Sequence, residues 1–268
     1  MPEQSDNQKG MIARFMALPT DSVPKTVFVA VVLCLVASMV VSAAAVSLRP
    51  TQQANAVKDK QVNILQVAGR YEPGMDVTEA FADFEPKVLE LATGEFTDAF
   101  DPATFDDRAA ADDPDLSIAL TEDPASIGRQ SRFMTVYLLR DENGDIDRVI
   151  LPIHGYGLWS TLYGFIALEE DGNDIFGLQF YSHGETPGLG AEVDNPRWKS
   201  QWNGKKVGNE DGVQITVARA VPPAGPEYHV DGLSGATLTT RGVDNLVKFW
   251  LDDTGYGPFL DNLKAGEI

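Results

Sequence analysis

The chain has 268 residues, a length that suits one sizeable domain with appendages, and its hydrophobic content of 43% argues against general disorder. Forty Asp and Glu against 21 Lys and Arg leave a formal net charge of −19, which speaks against a nucleic-acid partner, because phosphate backbones demand Lys and Arg. The single cysteine, Cys34, excludes an internal disulfide, a cysteine-ligated zinc site and an iron–sulfur cluster held by this chain alone, so an electron carried here points to an organic cofactor ahead of a cluster shared with another subunit.

From Thr26 to Leu48 no residue is charged, and most are Val, Ala, Leu or Phe. About 20 residues in a helix cross a hydrocarbon core, so this run is long enough to span a membrane. Lys25 and Arg49 bracket it as snorkelling end residues would. The run Ser42-Ala43-Ala44-Ala45 resembles a signal-peptide cleavage site, but the apolar core and the leader are both long for a signal sequence. The stretch therefore reads as an uncleaved anchor, dividing the chain into 1–25, a transmembrane helix over 26–48 and a soluble domain over 49–268. Lys9, Arg14 and Lys25 before the span balance Arg49, Lys58 and Lys60 after it, so charge alone leaves the orientation open.

Beyond the anchor, Val57 to Leu65 and Val77 to Leu91 read as helical, the latter from Phe81, Phe84, Val88 and Leu91 at spacings of three and four. The stretch from Thr93 to Arg129 reads mainly as loop with room for one short helix. It carries an acidic concentration from Asp98 to Asp123 (Asp101, Asp106, Asp107, Asp112, Asp113 and Asp115), read as a solvated face, whose spacing matches no calcium loop. Strands follow over Phe133–Leu139 and Asp147–Ile153, joined by Glu142-Asn143-Gly144-Asp145, a strong hairpin signal. Two more, Leu162–Leu168 and Ile175–Tyr181, turn at Asp171-Gly172-Asn173. Short polar turns favour antiparallel pairing over crossovers. A short helix is predicted over Pro196–Trp202, a strand over Val213–Ala220, and a helix from around Thr240, where Val243, Leu246, Val247 and Trp250 form one apolar face. Thr239 or Thr240 supplies its N-cap and Gly255 to Pro258 ends it. The fold class is α+β: a single N-terminal transmembrane helix, then a soluble domain built on an antiparallel sheet with flanking helices.

The chemistry concentrates in Asp231-Gly-Leu-Ser-Gly-Ala-Thr-Leu-Thr-Thr240, with four hydroxyls and two glycines directly before that helix. Small residues let a ligand approach the backbone, and the free N–H groups at a helix start attract an anion, so the segment reads as a phosphate or carboxylate site or simply as a helix cap. Gly232-Leu-Ser234-Gly-Ala236 nearly matches a serine-hydrolase elbow, but that family order needs a histidine after the serine. The histidines are His154, His183 and His229, all earlier. A second glycine-rich loop, Gly184-Glu-Thr-Pro-Gly-Leu-Gly190, lacks the Gly-Lys-Ser/Thr ending of a P-loop. Trp159 is either a ligand-facing or a core aromatic, and His154 reads as structural.

Asp231-x-x-Ser-Gly-Ala-Thr237 resembles the signature read by flavin transferases, which attach FMN to a threonine through a phosphoester. Gln66-Val-Ala-Gly69, Val149-Ile-Leu-Pro-Ile-His154-Gly-Tyr-Gly-Leu-Trp159-Ser, His183-Gly-Glu-Thr-Pro-Gly-Leu-Gly190-Ala-Glu-Val and Phe249-Trp-Leu-Asp-Asp-Thr-Gly-Tyr-Gly-Pro-Phe-Leu260 are similar to members of one family in the expected order: the C subunits of the sodium-translocating NADH:quinone reductases. The acidic stretch near Asp101 to Asp123 departs from that pattern.

The resemblance implies FMN held covalently on Thr237, with Ser234, Gly235, Ala236, Leu238 and Thr239 around it. It further implies Glu185 and Thr186 as polar contacts, Leu189 as an apolar one, Trp159 at the flavin ring, and Asp231 as the transferase's recognition residue. It implies no catalytic acid or base and no metal on this chain. It implies a single-span member of a six-subunit complex of the bacterial inner membrane, beside the B, D and E subunits in particular. The chain would relay electrons from an iron–sulfur centre to the flavin of the B subunit, with a cytoplasmic amino terminus and a periplasmic flavin domain. The alternatives are the homologous flavoprotein subunit of the Rnf ferredoxin:NAD complex and a non-redox anchored assembly protein.

Overall fold

Residues 10, 13–19 and 22–268 are described in the computed structural model; Lys9, counted above among the flanking cations, lies outside them. The chain divides into two compact units, one ending at Val57 and one running from Lys58 to Ile268.

The apolar run lies in helix α1 (Val23–Val67), a single helix of 45 residues. Its most apolar 18-residue window has a mean hydropathy of 2.8 and none of it is buried, so it is long and apolar enough to cross a membrane. Val27, Leu33, Met39 and Val46 stand exposed along it, as does Cys34. The helix expected over Val57–Leu65 is not separate: α1 passes through Pro50 and continues to Val67. The segment Lys58–Val67 belongs to the second unit, where Ile64 and Leu65 are fully buried.

In that unit Asp76 caps α2 (Val77–Phe81), its carboxylate accepting the N–H groups of Thr78 at 2.9 Å and Glu79 at 3.3 Å. The helix expected to reach Leu91 ends there, and the rest of the predicted segment is β1 (Phe84–Glu90). The helical spacing of Phe84 and Val88 misleads because Pro86 lies between them. Proline deprives a helix interior of an N–H and clashes with the preceding turn. A seven-residue antiparallel register with β5 uses the segment instead.

The strands β2 (Glu95–Phe96), β3 (Ser117–Ala119), β4 (Arg129–Ser131), β5 (Phe133–Arg140), β6 (Ile146–Tyr156), β7 (Thr161–Glu169), β8 (Asp174–Ser182) and β9 (Lys205–Lys206) follow in chain order. Six of them join β1 in one seven-stranded antiparallel sheet in the order β2-β1-β5-β6-β7-β8-β9. The predicted hairpins at Asn143-Gly144 and at Asp171–Asn173 are its β5–β6 and β7–β8 connections. Between β2 and β5 the acidic stretch folds into α3 (Asp107–Asp112) and the β3–β4 pair. Several of its acids accept backbone N–H groups at local turns: Asp106 from Arg108 and Ala109, Asp113 from Asp115, and Asp123 from Ile127 and Gly128.

After the short α4 (Pro196–Lys199) come β10 (Gly208–Asn209), β11 (Gly212–Val213), β12 (Thr216–Ala218) and β13 (His229–Asp231). The strand expected over Val213–Ala220 is thus divided between β11 and β12, and β12 pairs with β13 in parallel. Helix α5 (Thr237–Leu251) begins three residues before the predicted start, and a further helix, α6 (Gly257–Ala265), follows where only a terminator was expected.

One face of the sheet packs its alternate residues, among them Val149, Leu151, Ile153 and Ile166, against the predicted apolar face of α5: Val243, Leu246, Val247 and Trp250. The opposite face packs Tyr137, Ile150 and Phe165 against Ile64 and Leu65. Each buried Leu or Ile side chain contributes about 1.5–3 kcal/mol. Trp250 donates its indole N–H to the His154 carbonyl at 2.6 Å and Tyr256 donates its hydroxyl to the Pro152 carbonyl at 2.7 Å, which fixes α5 and α6 along β6.

Helix α5 approaches the end of β6 closely because two glycines face each other's elements. A Cβ on Gly242 would lie 2.5 Å from the Tyr156 carbonyl oxygen, and one on Gly155 would lie 2.5 Å from the Leu246 Cβ. We expect Gly242→Ala to push α5 away from β6 and to destabilise the domain by about 1–3 kcal/mol, the usual cost of overpacking, despite the better helix propensity of alanine. Urea unfolding of the variant beside the parent checks this; an unchanged midpoint would mean that the close approach is not a constraint.

Candidate functional site

Three segments meet at the amino end of α5: the β6–β7 turn (157–160), the loop after β8 (183–190) and the residues leading into α5 (232–236). Glu185 joins them. Its Oε1 accepts the backbone N–H of Leu158 at 3.0 Å, of Trp159 at 2.9 Å and of Ser160 at 3.4 Å. Its Oε2 accepts the Thr239 hydroxyl at 2.6 Å. Glu185 is 5% exposed and Thr239 is fully buried. Burial opposes ionisation of this carboxyl, but the hydrogen bonds from Thr239, Trp159, Leu158 and Ser160 outweigh it and hold the group below the ordinary carboxylate range.

Glycines make the junction possible. A Cβ on Gly190 would meet Glu185 Oε2 and Thr239 Oγ1, each at 2.6 Å, and one on Gly157 would meet Glu185 Oε1 at 2.6 Å. The loop after β8 is secured at its start as well. The Ser160 hydroxyl accepts the Gly184 N–H at 2.5 Å, and His183 Nδ1 accepts the Glu185 N–H at 3.2 Å. That leaves the proton on His183 Nε2, which lies 2.8 Å from Asp194 Oδ2.

Glu185, expected with Thr186 to offer a polar contact, and Thr239, expected beside the cofactor, engage each other here, and Glu185 also holds the β6–β7 backbone. The expected cap is corrected too. The residue before α5 is Ala236, with no side-chain cap, and the Thr240 hydroxyl instead accepts the Leu233 N–H at 2.9 Å. Among the described residues no acceptor engages the N–H groups of Thr237, Leu238 or Thr239.

The remaining predicted site residues lie around this helix start. Thr237, the first residue of α5, is exposed, as are Ser234, Gly235 and Thr186, while Ala236 is buried. Gly235 adopts φ 75° and faces Leu189, whose Cδ2 would lie 3.1 Å from a Cβ there. Trp159 is 65% exposed, so the core reading of this residue is excluded; Leu158, Leu189 and Leu238 are exposed as well. Asp231 is positioned through its backbone, its N–H donating to Gln201 Oε1 at 3.0 Å and its carbonyl accepting the Trp198 indole N–H at 2.8 Å.

His154 is structural, as its sequence context suggested. Its ring stacks on Tyr163 at 5.5 Å and tilts against Trp250 at 4.9 Å. Burial, with the positive charge of Arg108 as a second cause, lowers its pKa to about 4.

The FMN-binding domain family matches residues 157–252, which takes in all three joined segments. The C subunit of the Na(+)-translocating NADH-quinone reductase of Pseudomonas aeruginosa is 51% identical over 257 residues, covering 92% of this chain and 98% of the relative. The chain belongs to the C-subunit family of the Na(+)-translocating NADH-quinone reductases. The C subunit of the Vibrio alginolyticus enzyme is 49% identical over 257 residues, covering 94% of this chain and all of the relative. The crystal structure of Shewanella oneidensis NqrC superimposes with a TM-score of 0.72 at 34% identity, covering 78% of this chain and 99% of that one. That of the C subunit from Parabacteroides distasonis has a TM-score of 0.62 at 29% identity, covering 80% and 96%. Sequence reasoning placed the two glycine-rich segments of this C-subunit domain but missed the Glu185–Thr239 link. A carboxylate in a glycine loop and a threonine just after Ser234-Gly-Ala-Thr237 were the available signals.

Two consequences can be measured. Glu185→Ala leaves three N–H groups and one hydroxyl without their acceptor, and we expect a loss of about 1–3 kcal/mol, read as a lower urea midpoint; Glu185→Gln, which keeps the shape, should lose less. For His154, the unfolded chain carries a proton between pH 6.5 and about 4 that the native state lacks. Its contribution to stability therefore falls as pH drops through that window and levels out below it. His154→Phe should show a shallower loss of stability between pH 7 and pH 5 than the parent; parallel curves would contradict the assignment.

Proposed function

We propose that the chain is the electron-transfer flavoprotein subunit of a Na(+)-translocating NADH-quinone reductase, carrying FMN as a phosphoester on the Thr237 hydroxyl. The observation that carries the proposal is the exposed Thr237 side chain at the uncapped start of a 15-residue helix. Replacing the hydroxyl proton by the flavin phosphate leaves about one negative charge beside unpaired N–H groups, where the helix dipole favours an anion.

The chain's residues fit such a group. Gly235 keeps the approach to Thr237 open. Ser234, Gly235, Ala236 and Leu238 border the phosphate through backbone and small side chains, and Thr186 adds an exposed hydroxyl from the loop after β8. Trp159 and Leu189 are exposed apolar groups of the size an isoalloxazine ring needs beside it, and covering them removes apolar area from water. Glu185 and Thr239 hold these parts in register without contacting the flavin. When bound, the flavin supplies the electron-transfer chemistry that the side chains do not.

The relay role follows from family membership together with the lack of any requirement for an acid or base at the site. The protein accepts electrons from an iron–sulfur centre in the neighbouring membrane subunits, D and E in particular, and delivers them to the flavin of the B subunit. A flavin transferase reads Asp231, whose side chain is exposed next to the attachment segment. The transmembrane part is 26–48 in the bacterial inner membrane, with 1–25 cytoplasmic and 49–268 periplasmic.

The full chain, produced in membranes with a flavin transferase, should fluoresce under ultraviolet light after denaturing electrophoresis, and Thr237→Ala should abolish the signal. A dark parent chain overturns the covalent assignment, and a fluorescent Thr237→Ala variant overturns the residue.

A further inference from the structure

We infer that Arg241 is the cation that holds the phosphate on Thr237, an inference that rests on the covalent-flavin reading above. Arg241 is exposed in the second turn of α5, four residues after Thr237. Residues four apart on a helix are neighbours on its surface. Each Cα–Cβ bond also tilts toward the helix amino end, so a long side chain at position 241 covers the turn before it, the one that carries Thr237.

The surroundings leave Arg241 no other anion on its helix. Among the described residues it has no hydrogen-bond or ion-pair partner, in a chain with 40 acidic residues against 21 basic ones. The positions three and four residues further along the helix are Asp244 and Asn245. Asn245 is neutral, and the Asp244 carboxylate is engaged elsewhere. Its Oδ1 accepts the Thr216 hydroxyl and the Val217 N–H, each at 2.8 Å, and its Oδ2 accepts from Lys248 at 2.8 Å. No acid lies in the first turn of α5. A cation near the positive end of a helix dipole, without an acid to offset it, is locally unfavourable. Such a conflict between sequence and local structure is expected where a ligand resolves it.

An anion on the Thr237 oxygen does so. It supplies the counter-charge that Arg241 lacks and accepts from the free N–H groups of the same turn. The guanidinium fork suits two phosphate oxygens at once, so Arg241 also fixes the direction in which the phosphate leaves the helix. Glu185 does not compete, since it is buried and both of its oxygens are occupied.

The test compares the full membrane chain with Arg241→Gln, Arg241→Glu and Arg241→Lys, each produced with a flavin transferase, and with Thr237→Ala as the unloaded control. In-gel flavin fluorescence per chain, taken at early times, should fall about two- to fivefold in Arg241→Gln, the factor an exposed ion pair supplies. It should fall further in Arg241→Glu and recover in large part in Arg241→Lys, which keeps the charge but lacks the two-pronged fork. In the loaded parent the phosphorus-31 resonance should drift as salt is raised to about 1 M and screens the pair, a drift retained with lysine and lost with glutamine. Equal loading and the same salt response in parent and Arg241→Gln would overturn the inference while leaving the Thr237 attachment intact. Equal loss of loading in the Gln and Lys variants would overturn it too, by assigning Arg241 a role of shape and not charge. A dark parent, or a fluorescent Thr237→Ala variant, would instead remove the reading beneath it.

Discussion

Glu185 places an ionised carboxylate at the meeting of three segments that are far apart in the chain, and the geometry of the candidate site follows from how that charge is satisfied. A buried carboxylate is tolerable where donors surround it, and here four do: three successive backbone N–H groups of the β6–β7 turn and one threonine hydroxyl of α5. Fixing the turn leaves Trp159 at the surface. Fixing Thr239 sets the rotation of the first turn of α5, and with it the outward direction of Thr237 two residues earlier. The loop that supplies Glu185 is itself held by Ser160 and by the hydrogen-bonded His183–Asp194 pair. Three consecutive N–H groups on one oxygen make the turn an anion cradle filled from within the protein.

The same region contrasts a well-anchored part of the scaffold with a sparsely satisfied one. Helix α5 is anchored firmly at its far side, by the apolar face that packs on β6 and by the Trp250 indole on the His154 carbonyl. Its start, by contrast, has an alanine where a capping side chain would stand, free N–H groups, exposed apolar side chains and an unpaired arginine. Each is a small departure from what stabilises a helix end. Together they lie where a phosphorylated, largely apolar cofactor would supply what is missing.

Much of this was legible in the chain itself. The uncharged run before Arg49, the two hairpins marked by Asn143-Gly144 and Gly172-Asn173, and the apolar face of Val243, Leu246, Val247 and Trp250 are local patterns, and local patterns survive folding because neighbouring residues set them. The misread segments are those where a distant partner decided. Phe84 to Leu91 carries helical spacing, yet Pro86 and the waiting edge of β5 make it a strand. The hydroxyls of Thr239 and Thr240 are ordinary capping groups by sequence, but they are drawn to Glu185 and to the Leu233 N–H instead.

By itself, then, the amino-acid sequence determined the apolar run, the antiparallel character of the domain and a hydroxyl- and glycine-rich segment at a helix start. These depend on composition, alternation and short motifs, all written within a few residues of one another. The tertiary structure decided which side chains remain available to a ligand. It buried Thr239 and Glu185 against each other, turned Thr237 and Trp159 outward and left Arg241 without an anion among the described residues. Side-chain availability depends on which groups are satisfied across 54 residues of chain, as between Glu185 and Thr239, and no local pattern records that.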